Sequence, residues 1–340
     1  MEKSKYVYQS AQDSILRPHF QRWVWNPLLG YIPASLSPNA ITGISTLCCS
    51  LSFLLAAVAN THPSAMVAAS VLLFGYLSLD NMDGAHARAT GQSSRLGEFL
   101  DHWLDTLNNG FVVLGACLAV GLSPLFTLLV LAAGTLAFFA VQLELQYTGV
   151  FRMGRVADIE GNTAVSLLYL AVALLGPGFF EQTPLAGGPS LALLLGAGVM
   201  GQALWTSFTA LKRIESGRLD CLPLLLCLAI LITWVSLVDP SPGGEIASAL
   251  LCAGFFTNPV FTSRPILARL RGFSTAGIDR VIVAGTLGCA LLALAYPALE
   301  VSLAWTIAAL LAGTTLRYAQ ITTKALRDEP PVADVSPESD

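Results

Sequence analysis

Four aspartates occupy two short stretches of this chain with regular spacing. Asp80 and Asp83 are three residues apart, and Asp101 and Asp105 are four residues apart. On a helix, residues at these spacings share one face, so each pair would point its carboxylates in one direction. Two neighbouring helices could then hold four carboxylates opposite one another. Such a cluster repels itself strongly unless a cation neutralises it.

Ligation by carboxylates alone is typical of Mg²⁺, Mn²⁺ or Ca²⁺, since these hard cations prefer oxygen whereas zinc and copper favour softer ligands. Gly84 and Ala87 follow the first pair within about one helical turn, and small residues let a ligand approach the backbone closely. Arg88 adds a positive charge suited to a diphosphate. The spacing by itself leaves open a salt-bridged packing motif or an ion pathway.

The composition indicates whether water or lipid surrounds the helices that carry these residues. Of 340 residues, 54% are hydrophobic and 12% are charged, about half the charged share of a soluble domain. Long apolar runs recur along nearly the whole chain. We therefore predict an all-α, polytopic integral membrane bundle with membrane lipids around it. We expect no nucleic-acid partner.

About ten transmembrane helices fit the apolar runs and a hydrocarbon core about 30 Å thick. We place them at residues 40–60, 65–83, 99–121, 124–146, 162–180, 189–211, 221–238, 246–264, 278–296 and 299–318. The segment before them mixes basic residues with tryptophan, which predicts an amphipathic helix on the membrane surface. The acidic, proline-containing tail predicts disorder.

The basic residues predict the orientation of these spans. Threading the chain through ten helices puts all 18 lysines and arginines at or near one face. The positive-inside rule makes that face cytoplasmic. Because the number of spans is even, both termini are expected on the same side. We divide the chain into an amphipathic segment (1–38), a catalytic core (39–215), carboxy-terminal helices for an acceptor cavity or dimerisation (216–327), and the tail (328–340).

The aspartates belong to a longer pattern with eight fixed positions. These are Asp80, Asp83, Gly84, Ala87, Arg88, Gly97, Asp101 and Asp105. The pattern resembles the signature of the CDP-alcohol phosphotransferase family, Asp-x2-Asp-Gly-x2-Ala-Arg-x8-Gly-x3-Asp-x3-Asp, and all eight positions match. A pattern of this length is far more specific than a lone glycine-rich loop.

The resemblance implies roles for individual residues. Asp80, Asp83 and Asp101 would bind Mg²⁺ or Mn²⁺, with Asp105 close by. Contacts to the CDP group would fall to Asn39, Thr42, Gly84, Ala87, Arg88 and Glu144. The base that deprotonates the acceptor hydroxyl would be Asp105 or the neighbouring His102.

Two further segments are similar to the eukaryotic-type choline and ethanolamine phosphotransferase branch of the family. One is the stretch 8–42, with Trp25-Asn26-Pro27 and a Pro-Asn-x-x-Thr entrance to the first span. The other is the stretch 144–154, with Glu-x-x-x-Thr-Gly followed by Arg-Met-Gly. This similarity implies a donor such as CDP-ethanolamine or CDP-choline, diacylglycerol or a similar lipid as acceptor, and a homodimer.

Two alternatives remain beside this interpretation. Within the family, a phosphatidyltransferase would instead use CDP-diacylglycerol as donor and a soluble alcohol as acceptor. From another class, a transporter or a catalytically silent lipid-binding protein would share the number of spans. The halves of the chain show no evident inverted repeat, which disfavours a transporter.

Overall fold

The computed structural model describes residues 9–11, 14–58, 61–156, 158–238, 244–271 and 276–327. Within them, ten long helices follow one another along the chain. They are α1 (Pro38–Val58), α2 (Pro63–Ala89), α3 (Arg95–Ala119), α4 (Pro124–Thr148), α5 (Asp158–Leu175), α6 (Leu191–Arg213), α7 (Leu222–Val238), α8 (Glu245–Arg271), α9 (Ala276–Ala295) and α10 (Glu300–Leu326). The predicted disordered tail, 328–340, and the first residues of the amphipathic segment lie outside the described residues.

Eight of these helices, all except α3 and α9, are long and apolar enough to cross a membrane, as judged on the described residues. The all-α, multi-pass prediction is thereby confirmed. Helix α3 carries Asp101, Asp105 and other charged residues, which lower its hydropathy, yet it packs against α1, α4 and α8 within the same bundle.

Local sequence fixes several helix ends. At α3, the Ser94 side chain accepts a hydrogen bond from the Gly97 amide at 3.0 Å, which caps one of the free N–H groups of the first turn. Helix α4 begins with Ser123 as cap and Pro124 in the first turn, and it ends at Gly149 with φ of 72°. That left-handed conformation suits glycine and turns the chain out of the helix.

The helices form two packed groups, which α3 joins. Helix α2 packs on α1 and on α5, and α1 and α5 both pack on α3, around a core that includes Met66, Leu73 and Tyr169. Helices α4 and α7–α10 surround a second core that includes Leu131 and Trp234, and α6 packs along α4. Helix α3 connects the groups, because it packs against both α4 and α8.

Close contact with α8 holds α3 in place. A Cβ atom at Gly110 would lie 2.5 Å from the Phe255 ring, so only glycine permits this approach. One turn along, the Asn258 side chain on α8 donates a hydrogen bond to the Thr106 carbonyl at 3.0 Å. Trp103 packs against the same helix. The helix that carries Asp101 and Asp105 is therefore held rigidly.

The amino-terminal segment is helical between residues 17 and 29, as the consecutive pieces Arg17–Phe20, Gln21–Trp25 and Asn26–Leu29. Before it, strand β1 (Gln9–Ala11) pairs in parallel with strand β2 (Val150–Arg152). Among the described residues, this short pairing is the exception to an otherwise helical fold. It brings residues 9–11 to the end of α4.

Candidate active site

Three aspartates from two helices meet inside the bundle. Asp80 on α2 and Asp101 and Asp105 on α3 each offer one oxygen, and these oxygens all lie within 4.8 Å of one another. The Oδ1 atoms of Asp80 and Asp105 are buried and accept no hydrogen bond. Buried carboxylate oxygens without a donor are costly. A hard divalent cation would satisfy them, so the donor set fits Mg²⁺ or Mn²⁺.

Asp83, the fourth predicted ligand, lies outside this group of three oxygens. It is 5% exposed, and each of its oxygens already accepts a hydrogen bond. Thr42 at the start of α1 donates to Oδ2 at 2.6 Å, and the Gly84 amide donates to Oδ1 at 2.5 Å. The structure therefore brings three of the four aspartates together, and the fourth is linked to Thr42.

Five of the six residues predicted to contact CDP lie on α1 and α2, and the sixth, Glu144, lies on α4. A Cβ atom at Gly97 would lie 3.2 Å from the Asn39 side-chain oxygen, which places the start of α1 against the start of α3. On α2, Gly84 and Ala87 are half-buried, and Arg88 is exposed. The small side chains leave the backbone of α2 accessible, with the Arg88 charge next to it.

His102 points toward α4. The side chain is 4% exposed, and its Nδ1 lies 3.3 Å from Nε2 of Gln142. Its ring centroid is 5.4 Å from that of Phe151 on β2. His102 thus occupies a buried pocket beside the cluster, one residue from Asp101, and its catalytic role remains a prediction.

Glu144, also predicted to contact CDP, is fully buried at the end of α4. Its Oε1 accepts a hydrogen bond from Arg152 at 2.8 Å and its Oε2 accepts one from Arg213 at 3.1 Å. Both oxygens are therefore engaged in ion pairs. The structure does not bring Glu144 into the group of three aspartates.

Sequence reasoning missed Asp158, the first residue of α5. Its charge lies close enough to act on Asp80, Asp101 and Asp105. Asn162 donates a hydrogen bond to it at 2.6 Å. Because the fifth span was placed at 162–180, this aspartate fell in a predicted loop. An acidic residue just before a span, in a loop on the same face as the motif, was the signal available.

A second feature that the sequence did not predict is a set of hydrogen bonds that attaches the amino-terminal segment to α2 and α5. Arg17 donates from Nη2 to the Asn81 side-chain oxygen at 2.9 Å, and Asn81 lies between the first two motif aspartates. The Glu160 carboxylate accepts from the Ser14 hydroxyl at 2.6 Å and from the Leu16 amide at 3.0 Å. The segment is thereby tied to α2 and α5 beside the cluster.

Several known proteins are similar to this chain over part of its length. Cholinephosphotransferase 1 of Gallus gallus is 32% identical over 221 residues, which cover 63% of this chain and 66% of that protein. Cholinephosphotransferase 1 of Danio rerio is 28% identical over 221 residues, covering 63% and 58%. The CDP-diacylglycerol–serine O-phosphatidyltransferase of Encephalitozoon cuniculi is 32% identical over 186 residues, covering 52% and 48%.

These matches span about half to two thirds of the length of the relatives. A family profile adds to them. Residues 35–210, which contain α1 to α5 and nearly all of α6, match the profile described as CDP-alcohol phosphatidyltransferase. The three clustered aspartates and Asp83 all lie inside this match. The chain belongs to the CDP-alcohol phosphatidyltransferase family.

Proposed function

We propose that this protein moves a phosphoalcohol group, phosphoethanolamine or phosphocholine, from a CDP-alcohol to the hydroxyl group of diacylglycerol or a similar lipid and releases CMP. One observation carries the proposal. Asp80, Asp101 and Asp105 converge within the family motif and leave two buried oxygens without a donor. The relatives named cholinephosphotransferase 1 support the choice of donor.

The proposed cofactor is Mg²⁺ or Mn²⁺, held by Asp80, Asp101 and Asp105 with Asp83 beside them. When bound, such a cation would neutralise charge on the donor diphosphate and stabilise the CMP that leaves. Thr42 keeps the Asp83 carboxylate in place through its hydrogen bond. Asn39, Gly84, Ala87 and Arg88 would contact the CDP group, with the guanidinium facing the diphosphate. Glu144 would be a further contact of the CDP group.

The transfer itself needs one base. The acceptor hydroxyl oxygen attacks the phosphorus that carries the alcohol, and the bond from this phosphorus to the bridging oxygen breaks. The electron pair of that bond stays with CMP. The hydroxyl proton passes to a side chain, for which Asp105 and His102 are the two candidates. Both lie on α3, which packing against α8 holds rigid.

An assay of the purified full chain tests the donor. We expect CMP release with CDP-ethanolamine or CDP-choline in the presence of diacylglycerol. The similarity to the serine phosphatidyltransferase favours one alternative, in which CDP-diacylglycerol and a soluble alcohol are the substrates. Release of CMP only with CDP-diacylglycerol and serine would select that alternative. Absence of CMP release with every donor would leave a silent binding protein and refute the proposal.

The same assay tests the cation. Removal of divalent metal with a chelator should stop CMP release, and added Mg²⁺ or Mn²⁺ should restore it, because the donor set contains only oxygen. Zn²⁺ alone should not restore it. A chelated sample that elemental analysis shows to be metal-free, and that still turns over at the parental rate, would contradict the assignment.

We further propose that all ten long helices cross the membrane, with the active site and both termini on the cytoplasmic side. The basic residues at helix ends support this, since they gather at one face of such a bundle. We also propose a homodimer, because the similarity to the choline and ethanolamine phosphotransferase branch implies one. In sealed vesicles, cysteines introduced at Arg95 and at Arg327 should react with an impermeant thiol reagent from the same side. Reaction from opposite sides would refute the even number of spans.

A further inference from the structure

A cavity of about 320 Å³ opens between one face of α6 and the segment that follows α4. Three arginines line it: Arg152, Arg155 and Arg213. The remainder of its polar and aromatic wall consists of four residues of α6, Gln202, Trp205, Thr206 and Thr209. The three clustered aspartates do not line this cavity.

Glu144 holds two of these arginines side by side. One nitrogen of Arg152 and one of Arg213 bind its two oxygens, while the arginine side chains remain 37% and 43% exposed. A guanidinium has five N–H donors, so most donors of both groups stay available. Glu144 thus fixes the spacing of the pair without consuming its hydrogen-bonding capacity. This is a preorganised site for a planar or tetrahedral oxyanion.

The balance of charge in the wall is positive. Arg155 is exposed and forms no ion pair in the part of the chain that the structure describes. Three guanidinium groups therefore meet one carboxylate, which leaves two positive charges. A ligand that carries phosphate would neutralise them and accept their hydrogen bonds.

The position of the cavity on α6 indicates where the phosphate comes from. Only 17% of the apolar stretch of α6 is buried, so its outer face is suited to lipid. Trp205 is 63% exposed, and α6 ends with Lys212 and Arg213. Tryptophan and basic residues together at one end of a spanning helix mark the membrane interface. Lipid phosphates lie at this level.

We propose that this cavity binds the phosphate of an anionic phospholipid head group from the surrounding bilayer. The site is separate from the group of three aspartates and does not depend on the proposed transfer reaction. Bound lipid would link the end of α6 to the segment after α4. Trp205 would pack beside the glycerol backbone, and the three arginines would bind the phosphate oxygens.

Lipid binding to the full chain in detergent tests this. We would measure the retention of phosphatidylglycerol and of phosphatidylcholine by native mass spectrometry for the parent and for two variants. Arg155→Gln removes a cavity charge and leaves the Glu144 pairs intact. Lys212→Gln removes an exposed charge next to Arg213 but outside the cavity, and so is the matched control.

We expect the parent to prefer phosphatidylglycerol and Arg155→Gln to weaken its binding about tenfold, as expected for a charge-assisted hydrogen bond. Lys212→Gln should stay within about twofold. Equal losses in both variants, or no preference for the anionic lipid, would overturn the proposal. Displacement of the lipid by equimolar glycerol 3-phosphate would identify a soluble phosphate ester as ligand and overturn the bilayer source. CMP release, measured in parallel with diacylglycerol but without added phosphatidylglycerol, separates this result from failure of the proposed transfer.

Discussion

Asp80→Asn is expected to abolish CMP release while the helical bundle stays folded. The amide has nearly the volume of the carboxylate but no charge, and one of its two polar atoms is a donor that cannot bind a cation. Charge stabilisation by a divalent cation is worth several kcal/mol. Since about 1.4 kcal/mol changes a rate tenfold, we expect kcat to fall by about 10³-fold or more.

Thermal unfolding separates loss of the cation from loss of the fold. Mn²⁺ should raise the Tm of the parent, because a ligand that binds only the folded state stabilises it. The same addition should leave the Tm of Asp80→Asn unchanged. Without metal, the variant should be at least as stable as the parent, since one of several mutually repelling carboxylates has been neutralised.

Glu300→Gln provides the matched control. It makes the same carboxylate-to-amide change at the start of α10, whose opposite end packs near Phe99 on α3. We expect its turnover within about twofold of the parent, as is usual for a substitution away from the site. An Asp80→Asn enzyme with the same near-parental turnover would refute the role of the cluster in ligation.

Much of the fold could be predicted, because the length of each apolar run and the residues at its two ends determine where a helix begins and ends. The predicted span 124–146 corresponds to α4, Pro124–Thr148, where Ser123 and Pro124 begin the helix and Gly149 ends it. The boundaries near the motif were less accurate. Helix α2 continues to Ala89 and α3 begins at Arg95, whereas we predicted an end at 83 and a start at 99. The polar motif lowers hydropathy without breaking the helices.

The site was predictable to the extent that helical spacing determines it. The i,i+4 pair Asp101 and Asp105 points in one direction, and Asp80 faces it from α2. The hydrogen bond from Thr42 to Asp83 joins residues that are 41 positions apart in the sequence, and the contact of Arg17 with Asn81 joins residues that are 64 positions apart. Local periodicity contains no information about such pairs. For the same reason the ion pair between Glu144 and Arg213 could not be predicted from the sequence.

His102→Ala is expected to lower kcat by about 10²-fold or more if this histidine is the base, the range that general-base catalysis contributes. The KM for the CDP-alcohol should change little, because the residue would act on the acceptor hydroxyl. The Mn²⁺-induced rise in Tm should persist, since His102 is not one of the three clustered ligands. Partial rescue of turnover by added imidazole would distinguish a lost base from lost packing.

Asp105→Asn tests the second candidate for the base. As a metal ligand, Asp105 should be needed for both kcat and the Mn²⁺-induced rise in Tm. As a base alone, it should be needed for kcat only. Gln142→Ala is the packing control, because it removes the polar neighbour of His102 at 3.3 Å and leaves the imidazole in place. If His102→Ala keeps the parental kcat, the histidine only fills the space between Gln142 and Phe151. Proton transfer would then fall to Asp105.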